Sequence, residues 1–213
     1  PNYTTALDFD GVNDYIEGTG SVITGNNART VSCWMKSTSA TIQTLFSLGA
    51  ITGTTSASKF AVVTRGSIAD EIRVYTLGTT AILTYSGVDL YDDNWHNVVV
   101  TYSAQSYALY IDGIAQGTTN TGQDLVTESG FSMGRWYNAN WTNGSLSNVS
   151  VWNAALTSSQ VSTLFNFGTP ETNISFDPQA WWKLNDQTAI TDSSGNGNTG
   201  TNNGATDISS GVA

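Results

Sequence analysis

The sequence predicts an all-β chain, an antiparallel two-sheet β-sandwich with one short helix near residues 157–166. Three observations carry this expectation. First, Asp92 to Gly117 reads as two strands and the start of a third. Asn97 to Tyr102 is short and β-branched, which suits a pleated, buried surface. Ser103-Ala104-Gln105-Ser106 turns the chain, Tyr107 to Ile111 forms the next strand, and Asp112-Gly113 supplies the positive-φ positions of a tight hairpin. Second, Thr30 to Lys36 alternates, with Val31, Cys33 and Met35 on one face and Ser32, Trp34 and Lys36 on the other, the period of a strand. Third, helical spacing is confined to one stretch: Val161, Leu164 and Phe165 share a face after Thr157-Ser158-Ser159-Gln160, which has the form of a capping box, and Gly168 is placed to end the turn.

Composition bounds what such a chain does. At 213 residues it suits one large sandwich, and 39% hydrophobic residues suffice for a core. Charged residues are only 11%, so polarity comes from Thr, Ser, Asn and Gly, as expected where turns and edges abound. The formal net charge is −10. Nucleic acid needs clustered Lys and Arg to displace counterions, and none is visible; an anionic membrane surface is disfavoured for the same reason. No apolar run is long enough to span a bilayer, and no signal peptide appears. The chain starts at Pro1 rather than Met, as expected of a processed or excised piece of something longer. The one cysteine, Cys33, excludes an intrachain disulfide and reads as a buried free thiol.

In chain order, Pro1 to Tyr3 lead in, and Ala6 to Phe9 form the first strand with Leu7 and Phe9 on one face. Asp10-Gly11-Val12-Asn13-Asp14 is a turn rich in side-chain oxygens, and Tyr15-Ile16 resume the sheet. After the loop from Gly18 to Asn27 comes the alternating strand, whose Trp34 needs a cover from a loop or the second sheet. Thr44 to Leu48 and Lys59 to Thr64 are strands around a small-residue loop, and Glu71 to Leu77 and Thr80 to Tyr85 read as a hairpin. Phe131 to Arg135 starts a strand that leads into a loop, and Leu146 to Trp152 follow as a core strand. Thr169 to Pro178 is a polar linker. Ala180 to Asp186 reads as a strand, Asp192 to Asn198 as a compact turn, and Thr199 to Thr206 as a final edge.

Four segments resemble a known family in its own order: Leu7 to Ile16, Thr30 to Lys36, Trp95 to Gly113 with its Trp-His-Asn-Val-Val-Val-Thr-Tyr and Leu-Tyr-Ile-Asp-Gly runs, and Asn143 to Leu156. On these the chain is similar to laminin G-like domains of the concanavalin A-like jelly-roll group. The resemblance implies a jelly roll, but it leaves function open, because this fold hosts lectins, adhesion modules, hydrolases and spacers. In relatives a segment like 180–206 commonly precedes the Phe-Asp-Gly strand, whereas here it closes the chain. It either supplies the last strands of a single domain over 1–213 or, after a domain at 1–168, begins a second copy at 180–213; closure of the same domain is favoured, since isolated strands would expose Trp181 and Trp182.

Catalysis is disfavoured. A glycosidase needs two carboxyl groups facing each other across the scissile bond, and the hydrolases of this fold carry a Glu-x-Asp-x(-x)-Glu pattern. The four glutamates, Glu17, Glu71, Glu128 and Glu171, lack that spacing, and Asp8 and Asp10, which are two apart, flank a turn. The single histidine, His96, sits inside a strand and reads as structural.

Calcium is the open cofactor question. Asp8, Asp10, Asn13 and Asp14 cluster oxygen donors suited to a hard cation, although not in an EF-hand pattern. Members of the fold often carry a structural calcium near the sheet edge, with donors on a strand reading Ile-Asp-Glu-Val-Arg-Ile-Trp. The positions matching its carboxylates are Ser147 and Asn148, so charge is missing where that site wants it. The alternative is that Asp10 and Asp14 only cap a turn.

A ligand site is expected on the loop from Trp136 to Asn143. Trp136, Tyr137 and Trp141 offer aromatic faces for sugar C–H surfaces, and Asn138, Asn140 and Asn143 offer amides for hydroxyls. The competing reading has these aromatics covering a sheet edge. The function expected is a non-catalytic binding module, for a glycan or cell-surface polysaccharide, on an extracellular or virion surface. The alternative is a structural or interaction domain, such as a phage fibre, tip or capsid decoration, contacting other subunits of an assembly. The Thr/Ser/Asn/Gly-rich style is similar to laminin G-like domains on tailed-phage virion proteins.

Overall fold

A computed structural model describes residues 5–20, 22–49, 60–66, 70–76, 79–125, 129–136, 139–168, 174 and 176–208. The strands are β1 (Leu7–Asp10), β2 (Tyr15–Gly18), β3 (Arg29–Lys36), β4 (Gln43–Leu48), β5 (Phe60–Thr64), β6 (Glu71–Thr76), β7 (Thr79–Thr84), β8 (His96–Ser103), β9 (Ser106–Ile111), β10 (Ile114–Asn120), β11 (Phe131–Met133), β12 (Asn143–Trp152), β13 (Ala180–Trp182), β14 (Thr201–Asn203) and β15 (Thr206–Asp207), with one helix, α1 (Ser158–Phe165), between β12 and β13.

These strands form two sheets. The eight-stranded sheet runs β10-β9-β8-β3-β12-β1-β15, and β13 also pairs with β12; the seven-stranded sheet runs β14-β2-β11-β4-β5-β6-β7. The pairings that define these sheets are antiparallel, so the expected all-β sandwich with one helix is what forms. Between the sheets lies the main core, where Phe9, Phe46, Phe60, Phe131 and Trp182 are buried with the aliphatic residues of both inner faces. The Asp112-Gly113 hairpin forms as expected, with φ of 52° and 76°. The turn before it places Ala104 and Gln105 at positive φ as well, the geometry a two-residue hairpin demands whatever its side chains.

Among the described residues Trp34 is covered by α1 and, beside it, by the chain at Ile174. It stacks on Phe165 of α1, with centroids 5.8 Å apart. Beside it Val99, Trp152, Leu156, Val161 and Leu164 build a second core on the outer face of the eight-stranded sheet. The Thr157 capping box is present, but α1 ends at Asn166, at φ 44°, not at Gly168, which closes a short 3₁₀ turn from 166 to 168. Asn is among the few residues that enter the left-handed region at low cost. Cys33 is buried, and burial pushes its thiol well above the ordinary range.

The tail differs in detail from its expected outline. The strand at 180 is only three residues long, because Leu184 turns away at φ 56°. It lies end to end with β1 along one edge of β12: β1 pairs with residues 143–146 and β13 with 149–151. The final edge splits in two at Gly204. β14 pairs with β2 in one sheet, and β15 pairs with β1 in the other. Gly204 sits at φ 100°, and a Cβ there would lie 2.0 Å from Asp14 Oδ1, so only glycine allows this crossing.

Candidate functional site

The Trp-rich loop leaves β11 at Met133 and returns as β12 at Asn143. Its base is pinned to β4: Gly134 N–H and the Thr142 hydroxyl both donate to Thr44 O, at 3.2 and 2.7 Å, and Thr44 N–H donates to Asn140 O at 3.0 Å. Thr142 N–H closes the base onto Gly134 O at 2.8 Å. At the tip, Trp136 and Ala139 form an isolated bridge.

Strand register determines what lies beneath. Glu17, Ser132, Ser47, Ala61 and Tyr75 are successive cross-strand partners, so their side chains form one row on the outer face of the seven-stranded sheet. The Ser132 hydroxyl in that row donates to Arg135 O at 2.9 Å and holds the start of the loop. Trp136 then stacks on Tyr75, centroids 4.3 Å apart and planes 27° apart. The Arg135 guanidinium lies 3.3 Å above the Tyr15 ring and 5.9 Å from Trp141, and its Nη2 donates to Glu17 Oε2 at 2.7 Å. Trp141 tilts against Tyr15 at 6.1 Å. At the Tyr75 end, Arg65 Nη1 donates to the Tyr75 hydroxyl at 3.1 Å, and Arg73 pairs with Glu71 at 2.8 Å, a bond that pushes the Arg73 guanidinium up. Tyr15 and Tyr75 sit on strands four steps apart in the sheet order, about 19 Å at ordinary strand spacing. The loop therefore joins two aromatic–arginine–carboxylate groups across one sheet face.

This arrangement keeps some of the expected ligand residues and separates others. Trp136 and Trp141 lie on the same sheet face, each half-buried. Tyr137 and Asn138 lie outside the described residues. Asn140, at φ 54°, contributes its backbone carbonyl to the loop base. Asn143 belongs elsewhere: it is the register partner of Asp10, and its side chain packs against Gly11. Tyr15, Tyr75 and Arg135 join the Trp residues from outside the expected set. The available signal was alternation, since Tyr15-x-Glu17 and Glu71-x-Arg73-x-Tyr75 put like-facing polar aromatics on strands with apolar residues between them.

The candidate calcium donors also divide. Asp8, Asp10, Asn13 and Asp14 surround the β1–β2 turn, but each carboxylate already accepts from the protein. Asp10 Oδ1 accepts from Val12 and Asn13 N–H at 2.8 and 3.1 Å, Asp14 Oδ2 from Asp10 N–H at 3.0 Å, and Asp8 Oδ1 from the Ser145 hydroxyl at 3.0 Å. The Val12 N–H is the main cause holding the Asp10 carboxyl below its ordinary range, whereas burial, reinforced by the charges of Asp10 and Asp8, pushes Asp14 up. Asn148 does not join them. It lies five residues along β12 from the partner of Asp10, about 17 Å at strand rise, and its Oδ1 accepts from Trp181 Nε1 at 3.1 Å. Among the described residues no group of three or more His, Cys, Asp or Glu side chains is placed to hold a metal.

His96 bridges two aspartates, Nδ1 to Asp112 Oδ2 at 2.7 Å and Nε2 to Asp92 Oδ1 at 3.2 Å, while Asp112 Oδ1 accepts from Asn97 N–H. Burial alone would lower its pKa, but the two carboxylates outweigh it and the net shift is upward. The imidazole thus ties the Asp112 hairpin turn to the loop that leads into β8.

A laminin G family model, described as the concanavalin A-like lectin/glucanases superfamily, matches residues 10–162. No curated protein matches the chain. Among solved structures, a provisionally assigned carbohydrate-binding protein of Bacteroides ovatus aligns at 22% identity and a TM-score of 0.73, covering 97% of this chain; the chain spans 60% of that protein's length. The IT-sialidase CBM40 of Ruminococcus gnavus, solved with α2,3-sialyllactose, aligns at 17% identity and 0.58, covering 75% of this chain and 96% of its own. Domain 4 of an extracellular arabinanase from Geobacillus stearothermophilus, solved with arabinotriose, aligns at 18% and 0.57, covering 75% of each. At these identities the likeness is one of fold.

Proposed function

The chain belongs to the concanavalin A-like lectin/glucanases superfamily, and from that premise we propose that it is a non-catalytic carbohydrate-binding module whose ligand meets the loop from Gly134 to Thr142. The observation that carries the proposal is the pairing of loop and sheet aromatics, Trp136 with Tyr75 and Trp141 with Tyr15, across one face. Aromatic faces held at fixed spacing suit the C–H surfaces of successive sugar rings, and the Arg–Glu pairs between them offer donors and acceptors to hydroxyls. Neighbouring folds that bind sialyllactose and arabinotriose support the ligand class. The setting proposed is an extracellular or virion surface. The tail at 180–206 is read as part of the same sandwich, supported by its pairing with β12, β2 and β1.

The test is a glycan array with the wild type and Trp141→Ala, each with calcium and with chelator. Binding by the wild type that drops at least about tenfold in the variant, with an unchanged circular dichroism spectrum, supports the loop site. Dependence on calcium would bring the turn at Asp10 to Asp14 into the site as a metal holder. Silence from folded wild type overturns the carbohydrate reading in favour of an interaction domain.

A further inference from the structure

Among the described residues of the tail, the turn from Asp192 to Asn198 is densely hydrogen-bonded, and the proposed loop site does not use it. Asp192 accepts from Trp181, Ser194 and Asn198 N–H, each at 2.9 Å, and from Asn198 Nδ2 at 3.0 Å. Burial opposes its charge, but these donors hold the carboxyl below its ordinary range. Ser194, Asn196 and Asn198 in turn donate from their side chains to Gln179 O at 3.3, 3.2 and 2.8 Å. Alternate residues of the turn are therefore spent on fixing it to the chain at 179–181.

These bonds build the wall of a cleft of about 420 Å³ on the outer face of the eight-stranded sheet, the opposite side of the sandwich from the Trp-rich loop. Its volume falls in the range of small-ligand sites. Trp181 contributes to its lining, and its indole is fixed in place: Nε1 donates to Asn148, and Lys183 Nζ lies 4.5 Å from the ring centroid. Ile174 and Pro178 add apolar surface. Three polar groups in the lining make no hydrogen bond to the protein among the described residues: the Asp177 carboxylate, the Gln179 side-chain amide and the Ser193 hydroxyl. Together they accept and donate without presenting a cation, which is the complement of vicinal hydroxyls.

We propose that this cleft is a second saccharide site, taking a neutral, hydroxyl-rich sugar ring. Asp177 and the formal net charge of −10 disfavour an anionic one. The proposal rests on the carbohydrate reading of the chain but shares no residue with the loop.

The experiment is an NMR titration of the ¹⁵N-labelled chain with neutral trisaccharides of glucose, mannose, galactose and arabinose, and with sialyllactose as the anionic arm. The variants are Asp177→Ala/Gln179→Ala and, separately, Trp141→Ala. The expected result is a shift of the Trp181 indole and Gln179 side-chain amide resonances with at least one neutral trisaccharide, and less response to sialyllactose. The affinity read from the Trp181 indole falls about tenfold in the double variant and keeps its wild-type value in Trp141→Ala, whose loss is confined to the loop. Shifts confined to Trp136 and Trp141 overturn the cleft and leave the loop reading standing. Shifts confined to the cleft support it and remove the loop. No shift with any trisaccharide overturns both.

Discussion

The two outer faces of the sandwich start from similar material and end differently. Each carries aromatic residues pointing away from the main core: Trp34 and Trp152 on the eight-stranded sheet, Tyr15 and Tyr75 on the seven-stranded one. On the first, α1 lays Val161 and Leu164 over the rings, and Trp34 and Trp152 are left 2% and 1% exposed. On the second, the cover is a loop of Trp, Asn and Arg without an aliphatic stripe, so Tyr15, Tyr75, Trp136 and Trp141 all stay half-buried beside Arg–Glu pairs. An aromatic residue on an outer strand face is core or candidate binding surface according to what crosses it. A helix brings apolar side chains at a regular spacing; a short polar loop cannot.

The same substitution on each face should have unequal effects. Trp152→Ala is expected to destabilise by about 3–5 kcal/mol in urea unfolding, because it opens a cavity in a sealed cluster. Trp136→Ala is expected to cost about 1 kcal/mol, the scale of one stacked ring pair, while weakening glycan binding. Equal losses would make the loop an ordinary piece of core. Asp192→Ala comes next, at about 2–3 kcal/mol for donors left without their acceptor. Because the folded Asp192 pKa lies below 3.8, its contribution is present above that value and lost as pH falls through the folded one, so acid unfolding of the variant should shift little. Thr157→Ala removes the cap of the covering helix, costs about 1 kcal/mol, and should raise the fluorescence accessibility of Trp34.

The smallest effect concerns His96. Its folded pKa is raised above 6.5, so its contribution is complete below that value and is lost as pH rises through the folded pKa. Unfolding free energy should fall by under about 1 kcal/mol across that window, and His96→Gln should flatten the slope. An unchanged slope in the variant would place the titrating group elsewhere.

Much of this architecture was legible in residue order because strands, hairpins and caps are local. Alternation in Thr30–Lys36, the Asp112-Gly113 turn and the Thr157 capping box each depend on neighbours a few residues away, and each appears at its expected place. The four segments from Leu7 to Leu156 carried the family likeness on the same footing. What tertiary structure alone decided was which distant strands share a face. Register set Asn143 beside Asp10 rather than beside Trp141, moved Asn148 to Trp181, and brought Tyr75 under Trp136. The split of the last edge between two sheets at Gly204 is likewise a matter of closure, set by the fit against Asp14. A strand's pattern states which side chains point together; it contains nothing about which strand arrives next to it, and a candidate site laid across five strands of one sheet takes shape only once that order is settled.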